Sequence, residues 1–438
     1  MKRKMKAGKI IAKNENLLTA RGKKIAAGLK TALKECLVTD KFLLLSPKLF
    51  WKNRRAAATF TPLNDNPIMQ IKPFRATYPI IGSVPDPDQF CAGAKYNFPD
   101  YRRKGWLTET GREALYVYQI EDGRRRHTGL VALNDVRDFF AGKVKKHEKT
   151  LGEREQHQME LFLRWGAILK PILLTYPPVP EINAWLERFT REHPPMLEVF
   201  FAADHQTHRI WMAPDPADWQ LLQELFTRNV PGVYIADGHH RTTTLAMLHQ
   251  QLKHQYPGFD FDHLFCAFFS TDQLDILDYN RVVDGLNGLN PLTFLTKLES
   301  LFHIEPIENP RKPRKKYELK MFLREQWYRL HWKDAVLAAS AKHHPVLLDV
   351  SLLNELVLHR LLGIGDVRTD ARILYVEGSK GLKGIRKTVR GGHDRVGFAL
   401  HPVSFDDMMR MADRGESLPP KSTFFAPRLK SGILVKKL

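Results

Sequence analysis

Short apolar runs separated by polar turns extend along most of this chain, and their spacing predicts a mixture of strands and helices. Residues 115–120 and 128–133 are two apolar runs separated by an Asp-Gly turn, which is the signature of a β-hairpin. Further on, Met159, Phe162 and Leu163 recur at i, i+3 and i+4, the spacing of one helical face. The pattern therefore predicts helices combined with antiparallel strand pairs.

The same patterns predict the remaining elements. Further strands are predicted over residues 71–76, 172–175, 197–202, 209–212, 263–270, 317–322, 327–332, 373–376 and 395–400. Helices are predicted over residues 136–142, 153–170, 182–192, 218–227, 292–302, 347–362 and 405–414. We interpret the proline-rich residues 79–99 as a loop and residues 307–316 as a linker. This mixture predicts an α+β (mixed α/β) fold rather than an all-parallel sheet.

The densest group of polar side chains lies inside residues 232–248, where a predicted buried strand breaks at an Asp-Gly pair and a helix begins near Thr242. A strand-to-helix junction presents backbone N–H groups, and the helix dipole favours anions there. An arginine can hold two phosphate oxygens, two histidines add donors, and a glycine allows close approach of a ligand. The alternative is a polar turn without a ligand. The predicted phosphate- and nucleotide-binding residues are Asp237, Gly238, His239, His240, Arg241 and Thr242.

A single carboxylate, Glu148, follows His147 just before the helix predicted from residue 153. A carboxylate in a lysine-rich segment can act as general base for a hydroxyl, or can help to hold Mg²⁺. The alternative is a surface ion pair, which would contribute little. We expect Glu148 to share one pocket with the histidines and the arginine about ninety residues later.

Two further groups are candidates for substrate binding. Lys421, Ser422 and Thr423 follow two prolines and could hold an anion or a carboxylate, although a packed terminal loop explains the pattern equally well. Arg281 is predicted to follow a strand, where it could bind a carboxylate or pair with an acid. No HExxH motif or Cys/His spacing indicates a zinc site.

The net charge of +20 suggests nucleic-acid binding until it is located along the chain. Residues 1–68 hold 16 Lys/Arg against 4 Asp/Glu, so most of the excess lies there. This segment could be a targeting peptide, a nucleic-acid-binding arm or an over-extended reading frame. We interpret it as a disordered or spurious basic extension and expect the functional chain to begin at Met69. Nucleic acid is therefore expected, if anywhere, only at this extension.

The body of the chain is expected to contain three sections. These are a nucleotide- and phosphate-binding core over residues 69–305, a linker and hairpin insertion over 306–345, and a C-terminal section over 346–438 that packs on the core. Three widely separated cysteines indicate a reducing cytoplasm without a disulfide framework. No apolar run approaches the roughly 20 residues of a membrane span.

Five separated motifs make this chain resemble the DUF1015 family, and the resemblance extends over residues 69–438. Its Asp-Gly-His-His-Arg and His-Glu elements are also similar, more remotely, to those of free-serine kinases with a ParB/sulfiredoxin-like fold. Those enzymes phosphorylate L-serine with ADP or ATP. The motifs are residues 71–75, 147–150, 234–241, 368–370 and 419–423.

The resemblance implies a cytoplasmic kinase that transfers a phosphoryl group from ATP or ADP, with Mg²⁺, to a small hydroxylated molecule such as free L-serine. Glu148 would be the base, His240 a second catalytic group, and Asp237 would hold the metal. The rival interpretation is a ParB-like nucleotide-binding switch, or a DNA-associated module, without phosphotransfer. A folded scaffold with an inactive site is a third. Neither sulfiredoxin chemistry nor DNA binding is favoured, since the sulfiredoxin cysteine is replaced by His239 and we find no helix-turn-helix.

Overall fold

The computed structural model describes residues 69–123 and 125–438. The predictions made for residues 1–68 lie outside the described part of the chain. Within the described residues the helices are α1 (Pro87–Arg103), α2 (Val136–Phe140), α3 (Gly152–Trp165), α4 (Pro180–Glu192), α5 (Pro216–Asn229), α6 (His239–Leu252), α7 (Pro291–Glu299), α8 (Asp334–Ala341), α9 (Asp349–Leu352, continued by a π-helix over Leu353–His359), α10 (Gly381–Arg390) and α11 (Phe405–Asp413).

The strands are short, and most carry the apolar runs on which the predictions were based. In chain order they are β1 (Ile71–Lys72), β2 (Ala76–Pro79), β3 (Leu107–Glu109), β4 (Leu115–Glu121), β5 (Arg126–Asp135), β6 (Val144–Lys145), β7 (Ala167–Ile168), β8 (Ile172–Tyr176), β9 (Leu197–Phe201), β10 (Gln206–Ala213), β11 (Val233–Asp237), β12 (His263–Ser270), β13 (Asp275–Leu277), β14 (Tyr279–Asp284), β15 (Phe302–Ile307), β16 (Glu318–Leu323), β17 (Gln326–Trp332), β18 (Ile373–Glu377), β19 (Arg395–Ala399), β20 (Phe424–Ala426) and β21 (Val435–Lys437).

A nine-stranded mixed sheet forms the centre of the molecule, in the order β6-β11-β8-β12-β5-β4-β10-β9, with β1 also pairing with β5. The pairs β6/β11 and β8/β12 are parallel, and the other pairs are antiparallel. Residues 264–270 of β12 are all buried, as expected for a strand covered on both faces. The mixed α/β prediction is confirmed, while the ParB/sulfiredoxin-like label stays a prediction.

A second sheet of six antiparallel strands has the order β15-β17-β16-β19-β14-β18. It takes strands from all three predicted sections of the chain, and the boundaries of those sections stay a prediction. The apolar face of α10, including Ile385 and Val389, packs against it. The small sheet β3-β2-β21-β7 brings the C-terminal strand back to the first half of the chain, and β20 pairs with β13, which follows β12.

The hairpin predicted at residues 115–133 is confirmed as β4 and β5, and most other predicted strands and helices are also present. The loop predicted over residues 79–99 is wrong because α1 occupies most of it. Asp86 caps this helix by accepting a hydrogen bond from the Gln89 N–H, and a proline follows at its first position. The loop prediction gave weight to the prolines and glycines of this segment and overlooked the helical spacing of its apolar residues. Those that are buried in α1 are Phe90, Ala94, Phe98 and Tyr101.

Several smaller predictions are also wrong. The helix predicted to begin near Thr242 begins three residues earlier, at His239. Arg281 lies inside β14 rather than after a strand, and α10 had not been predicted. The long helix predicted over residues 347–362 becomes a π-helix after one α-helical turn. Among the described residues, no helix is both long enough and apolar enough to cross a membrane.

Candidate functional site

The junction between β11 and α6 depends on the glycine between them. Gly238 has φ +109°, a backbone conformation that residues with a side chain rarely adopt. A Cβ atom at this position would also lie 2.7 Å from a terminal guanidinium nitrogen of Arg241. Glycine is therefore required both by the backbone turn and by the close approach of the arginine.

An ion cluster fixes Arg241 against the end of β11. One oxygen of Asp237, Oδ2, lies 2.9 Å from Lys170 Nζ and 3.1 Å from Arg241 Nη2, and the same nitrogen donates to the carbonyl of Pro171 at 3.3 Å. Burial alone would raise the pKa of Asp237, but the two cations outweigh it and hold that pKa far below its usual range. Asp237 is therefore ionised, and the Nε–H of Arg241 remains buried without a partner among the described residues.

The segment between β6 and α3 brings a second pair of groups to this junction. The backbone N–H of His147 points at His239 Nε2 at 3.5 Å, and His239 Nδ1 lies 3.6 Å from Glu148 Oε2. The rings of His147 and His239 meet edge to face, with centroids 4.5 Å apart. Because Nε2 faces a donor and Nδ1 faces a carboxylate, the arrangement fits a neutral His239 with its proton on Nδ1.

Burial determines the charge of the three histidines near the junction. It lowers the pKa of His147 to about 4. The pKa of His239 is lowered well below its usual value by burial and by the neighbouring His147. Burial, together with the charge of Arg154, also lowers the pKa of His240. All three imidazoles are therefore neutral at pH 7 and contribute N–H donors rather than charge.

Glu148 itself is half-exposed, with 46% of its side chain accessible. Its pKa is raised, first by burial and then by the charge of Asp237, while Lys421 and Arg154 oppose the shift. A carboxylate with a raised pKa is a stronger proton acceptor than an ordinary surface glutamate. This is the environment that a general base needs.

The 418–423 loop closes the site from the other end of the chain. The Leu418 N–H donates to the carbonyl of His147 at 2.8 Å, and Ser422 Oγ donates to the carbonyl of Pro419 at 2.5 Å. Lys421 has φ +56°, a strained backbone for a residue with a side chain, and its ammonium lies 5.2 Å from the centre of the Tyr279 ring. The loop is thus tied directly to the segment that carries Glu148.

Arg281 is buried within β14, and this position does not support the predicted substrate contact. Its side chain is 1% exposed, and its guanidinium donates to the carbonyls of Tyr279 and of Pro420, the latter at 3.2 Å. It also lies 5.4 Å from the centre of the Tyr375 ring. Burial lowers its pKa to about 10, and Arg281 forms no ion pair with a carboxylate among the described residues. Arg281 therefore supports the 418–423 loop from behind.

These elements enclose a cavity of about 580 Å³, called here the main cavity. Thr242 is fully buried behind its wall and donates to the carbonyl of Gly238, so its hydroxyl does not support the predicted phosphate contact. The other predicted residues, apart from Arg281, come together at the wall. The lining residues are His147, Glu148, Glu153, Arg154, His157, Gln158, Ala236, Asp237, Gly238, His239, His240, Arg241, Tyr279, Leu418, Pro419, Lys421, Ser422, Thr423, Phe425 and Arg428.

Sequence reasoning missed several of these side chains. Arg154, His157 and Gln158 occupy one face of α3, and their helical spacing just after Glu148 was a signal that could have been used. Lys170 and Arg428 are isolated cations near prolines, and no motif marks them. With Arg154, Lys421 and Arg241 they outnumber the carboxylates of Glu148, Glu153 and Asp237, so the surroundings of the cavity carry a small positive excess that suits an anionic ligand.

Within residues 69–123 and 125–438, no group of three or more His, Cys, Asp or Glu side chains is arranged to hold a metal ion. Mg²⁺ commonly needs only one or two protein carboxylates when substrate phosphates supply the other ligands. Asp237 fits that requirement, because both cations meet its Oδ2 and, among the described residues, its Oδ1 accepts no hydrogen bond.

Comparisons with known proteins give one family match and several distant structures. The model of the family described as "Protein of unknown function (DUF1015)" matches residues 77–351. No curated protein matches the chain.

Three solved structures illustrate the distant similarity. SbnI with a C-terminal truncation, from Staphylococcus aureus, is 12% identical, with a TM-score of 0.36 over 68% of this chain and 85% of that one. A free serine kinase mutant in complex with ADP is 16% identical, with a TM-score of 0.33 over 69% and 92%. A conserved hypothetical protein from Pyrococcus furiosus is 15% identical, with a TM-score of 0.32 over 70% and 95%.

Proposed function

This chain belongs to the DUF1015 family, and we propose that it is a phosphotransferase that moves a phosphoryl group from an adenine nucleotide to the hydroxyl of a small molecule. One observation carries the proposal. The carboxylate of Glu148 lies 3.6 Å from His239, in a cavity whose other charged walls include Arg241 and Lys421. A proton acceptor and an anion-binding wall thus face the same space.

Glu148 would take the proton of the attacking hydroxyl. The oxygen would then form a bond to the terminal phosphorus of ATP or ADP, and the bond from that phosphorus to the bridging oxygen would break. The shortened nucleotide would leave with its electron pair, and the proton would remain on Glu148. Burial raises the pKa of Glu148, which brings it closer to the value that favours proton transfer at neutral pH.

The phosphate end of the site would be the N-terminus of α6. The free N–H groups of its first turn are favourable for anions, and Arg241 adds a fixed guanidinium beside them. His240 lines the cavity as a neutral donor, and Arg154 and Arg428 supply further charge. Such preorganised donors stabilise the charge on a transferred phosphoryl group, which is most of what catalysis of this reaction requires.

Asp237 would hold Mg²⁺ through its Oδ1, and the ion would supply further neutralisation of phosphate charge. At the other end of the cavity, Lys421 and Thr423 would bind the acceptor. Free L-serine is the favoured acceptor, because the Asp-Gly-His-His-Arg and His-Glu motifs resemble those of free-serine kinases. The positive charge of Lys421 beside Glu148 suits the carboxylate of an amino acid.

The test is an assay for O-phosphoserine with purified protein, L-serine, Mg²⁺ and either ATP or ADP. We expect product with the native chain and a loss of about 10²-fold or more in Glu148→Gln, the usual range for removal of a general base. Glu299→Gln, which makes the same change on the exposed end of α7, is the matched control and should keep full activity.

Absence of phosphotransfer to L-serine and to other small hydroxylated amino acids, with either nucleotide, would refute the proposal. Equal activity of Glu148→Gln and native protein would refute the assigned base. Nucleotide binding without any phosphotransfer would instead support the ParB-like switch, which also predicts DNA binding that persists after residues 1–68 are removed and that weakens with salt.

A further inference from the structure

A second, smaller cavity opens behind Arg241, and we call it the side cavity. Its volume is about 100 Å³, and it shares two lining residues, Gln158 and Arg241, with the main cavity. Cavities that hold a whole ligand usually measure roughly 300–1,000 Å³, so the side cavity can take only part of one. Its lining residues are Lys95, Gln158, Leu161, Phe162, Trp165, Ala167, Leu169, Lys170, Arg241 and Ser431.

The two cavities lie along one face of α3. Arg154, Gln158, Leu161 and Trp165 follow one another at helical spacing, the first facing the main cavity, the second facing both and the last two facing the side cavity. The polarity of this stripe changes along its length, from charged at the Glu148 end to apolar and aromatic at the other. The stripe is about 16 Å long, because Trp165 lies eleven residues after Arg154 and a helix rises about 1.5 Å per residue.

The inner wall of the side cavity is apolar and firmly held. Phe162, Trp165, Ala167 and Leu169 are all buried. The indole N–H of Trp165 donates to the carbonyl of Lys95 at 3.2 Å, which fixes the plane of its ring. The cations of the lining are Lys95, Lys170 and Arg241, and the last two also hold Asp237. A flat apolar group fits the inside of such a cavity, and an anion fits its mouth.

We propose that the side cavity holds the base of the nucleotide, with the phosphates passing Arg241 into the main cavity. This inference rests on the proposed function. A nucleotide has an aromatic ring at one end and phosphates at the other, which is the order of polarity along α3. Arg241 lines both cavities and so stands at the junction between them. Gln158 offers an amide to the base edge, since it lines both cavities.

Variants that fill the side cavity test binding of the base separately from binding of the phosphates. Ala167→Phe and, at a half-buried position, Leu161→Phe add volume to its wall, while Leu163→Phe makes the same change on α3 outside the lining. Calorimetric titrations compare ADP with pyrophosphate, which has no base. We expect both filling variants to weaken ADP binding by about ten-fold or more, as removal of base stacking does, with pyrophosphate binding within about two-fold of native.

Trp165 gives an independent readout. ADP should change the intrinsic fluorescence of the native protein and pyrophosphate should not, and Trp165→Phe should lose the ADP-dependent change. Retained pyrophosphate binding shows that a variant is folded. If Ala167→Phe does not fold, Leu161→Phe alone provides the test.

The outcomes separate the two claims. If the native protein binds neither ADP nor pyrophosphate, the proposed function fails and the inference fails with it. If native protein binds both and forms phosphoserine, but the filling variants weaken ADP no more than pyrophosphate, the proposed function stands and the inference is overturned.

Discussion

At the scale of single residues, the site depends on groups whose charge is set by burial. Asp237 is held ionised by Lys170 and Arg241, while the neighbouring imidazoles are kept neutral. Glu148 is subject to both effects, because burial raises its pKa and the charge of Lys421 lowers it, with a net increase. The site can therefore combine a proton acceptor with anion binding without placing two carboxylates in contact.

The pH dependence of phosphotransfer should follow the ionisation of Glu148. Because only its carboxylate accepts a proton, and because its pKa is raised, activity should increase with pH through a midpoint above the ordinary glutamate value. In Lys421→Met, loss of the nearby cation disfavours the carboxylate, so this midpoint should move up.

The measurement is kcat/KM between about pH 4 and pH 8. Lys146→Met, in the exposed segment before Glu148, controls for the loss of a lysine and should leave the midpoint unchanged. A midpoint that moves down in Lys421→Met, or stays fixed, would show that Lys421 does not act on Glu148.

At the scale of elements, the strand-to-helix junction is the feature on which the phosphate end depends. A buried strand, β11, fixes Asp237, and α6 begins two residues later with Arg241 returning over the turn. The single glycine allows both the left-handed turn and this return. The junction is thus one unit in which backbone conformation and side-chain position are coupled.

Gly238→Ala should therefore damage both stability and binding. The positive φ alone costs about 1–3 kcal/mol for a residue with a Cβ, and the new methyl group would displace the guanidinium of Arg241. We expect urea unfolding to show a loss in that range and pyrophosphate binding to weaken. Gly258→Ala, where a Cβ would meet nothing within 4 Å, should change neither. Native-like pyrophosphate binding in Gly238→Ala would contradict this account of the junction.

At the scale of the whole molecule, the site is assembled from distant parts of the chain. The six-stranded sheet carries Arg281 in β14, and Arg281 holds the carbonyl of Pro420. The pairing of β13 with β20 brings the loop back beside the first sheet. The second sheet therefore acts on the main cavity through the 418–423 loop, without lining most of it.

Arg281→Met should reduce activity more than stability. The change removes the donors to two carbonyl groups, which costs about 1 kcal/mol or more for each, but it also removes a buried charge without an acid partner. We expect these effects to offset, so that the melting temperature changes little while kcat/KM falls by about ten-fold because Lys421 is displaced.

Thermal unfolding and phosphoserine formation measure the two effects on the same samples. Arg329→Met, which removes a half-buried arginine that pairs with Glu305 on the second sheet, is the control. If Arg281→Met unfolds at a much lower temperature, or retains full activity, the residue serves the fold and not the loop.

The sequence alone determined the local parts of this protein. Apolar runs separated by short polar turns specified the hairpin β4–β5 and the paired strands β16 and β17, because two such runs joined by a short turn fold back on each other as a hairpin. The glycine, histidines and arginine of the junction were also recognisable, since the glycine fits a strand-to-helix turn and the histidines and arginine are donors suited to an anion at a helix N-terminus. The 79–99 prediction failed because proline and glycine content was weighted above the spacing of buried residues in α1.

Only the tertiary structure decided which distant groups meet. Nothing local places Lys170 on Asp237, turns Arg281 inward or aligns the two cavities along α3. Burial, which sets the pKa of Glu148, is likewise a property of the packed chain and not of residue 148. The physical reason is that periodicity reports what each segment must bury, while contacts and electrostatics depend on what the rest of the chain packs against it.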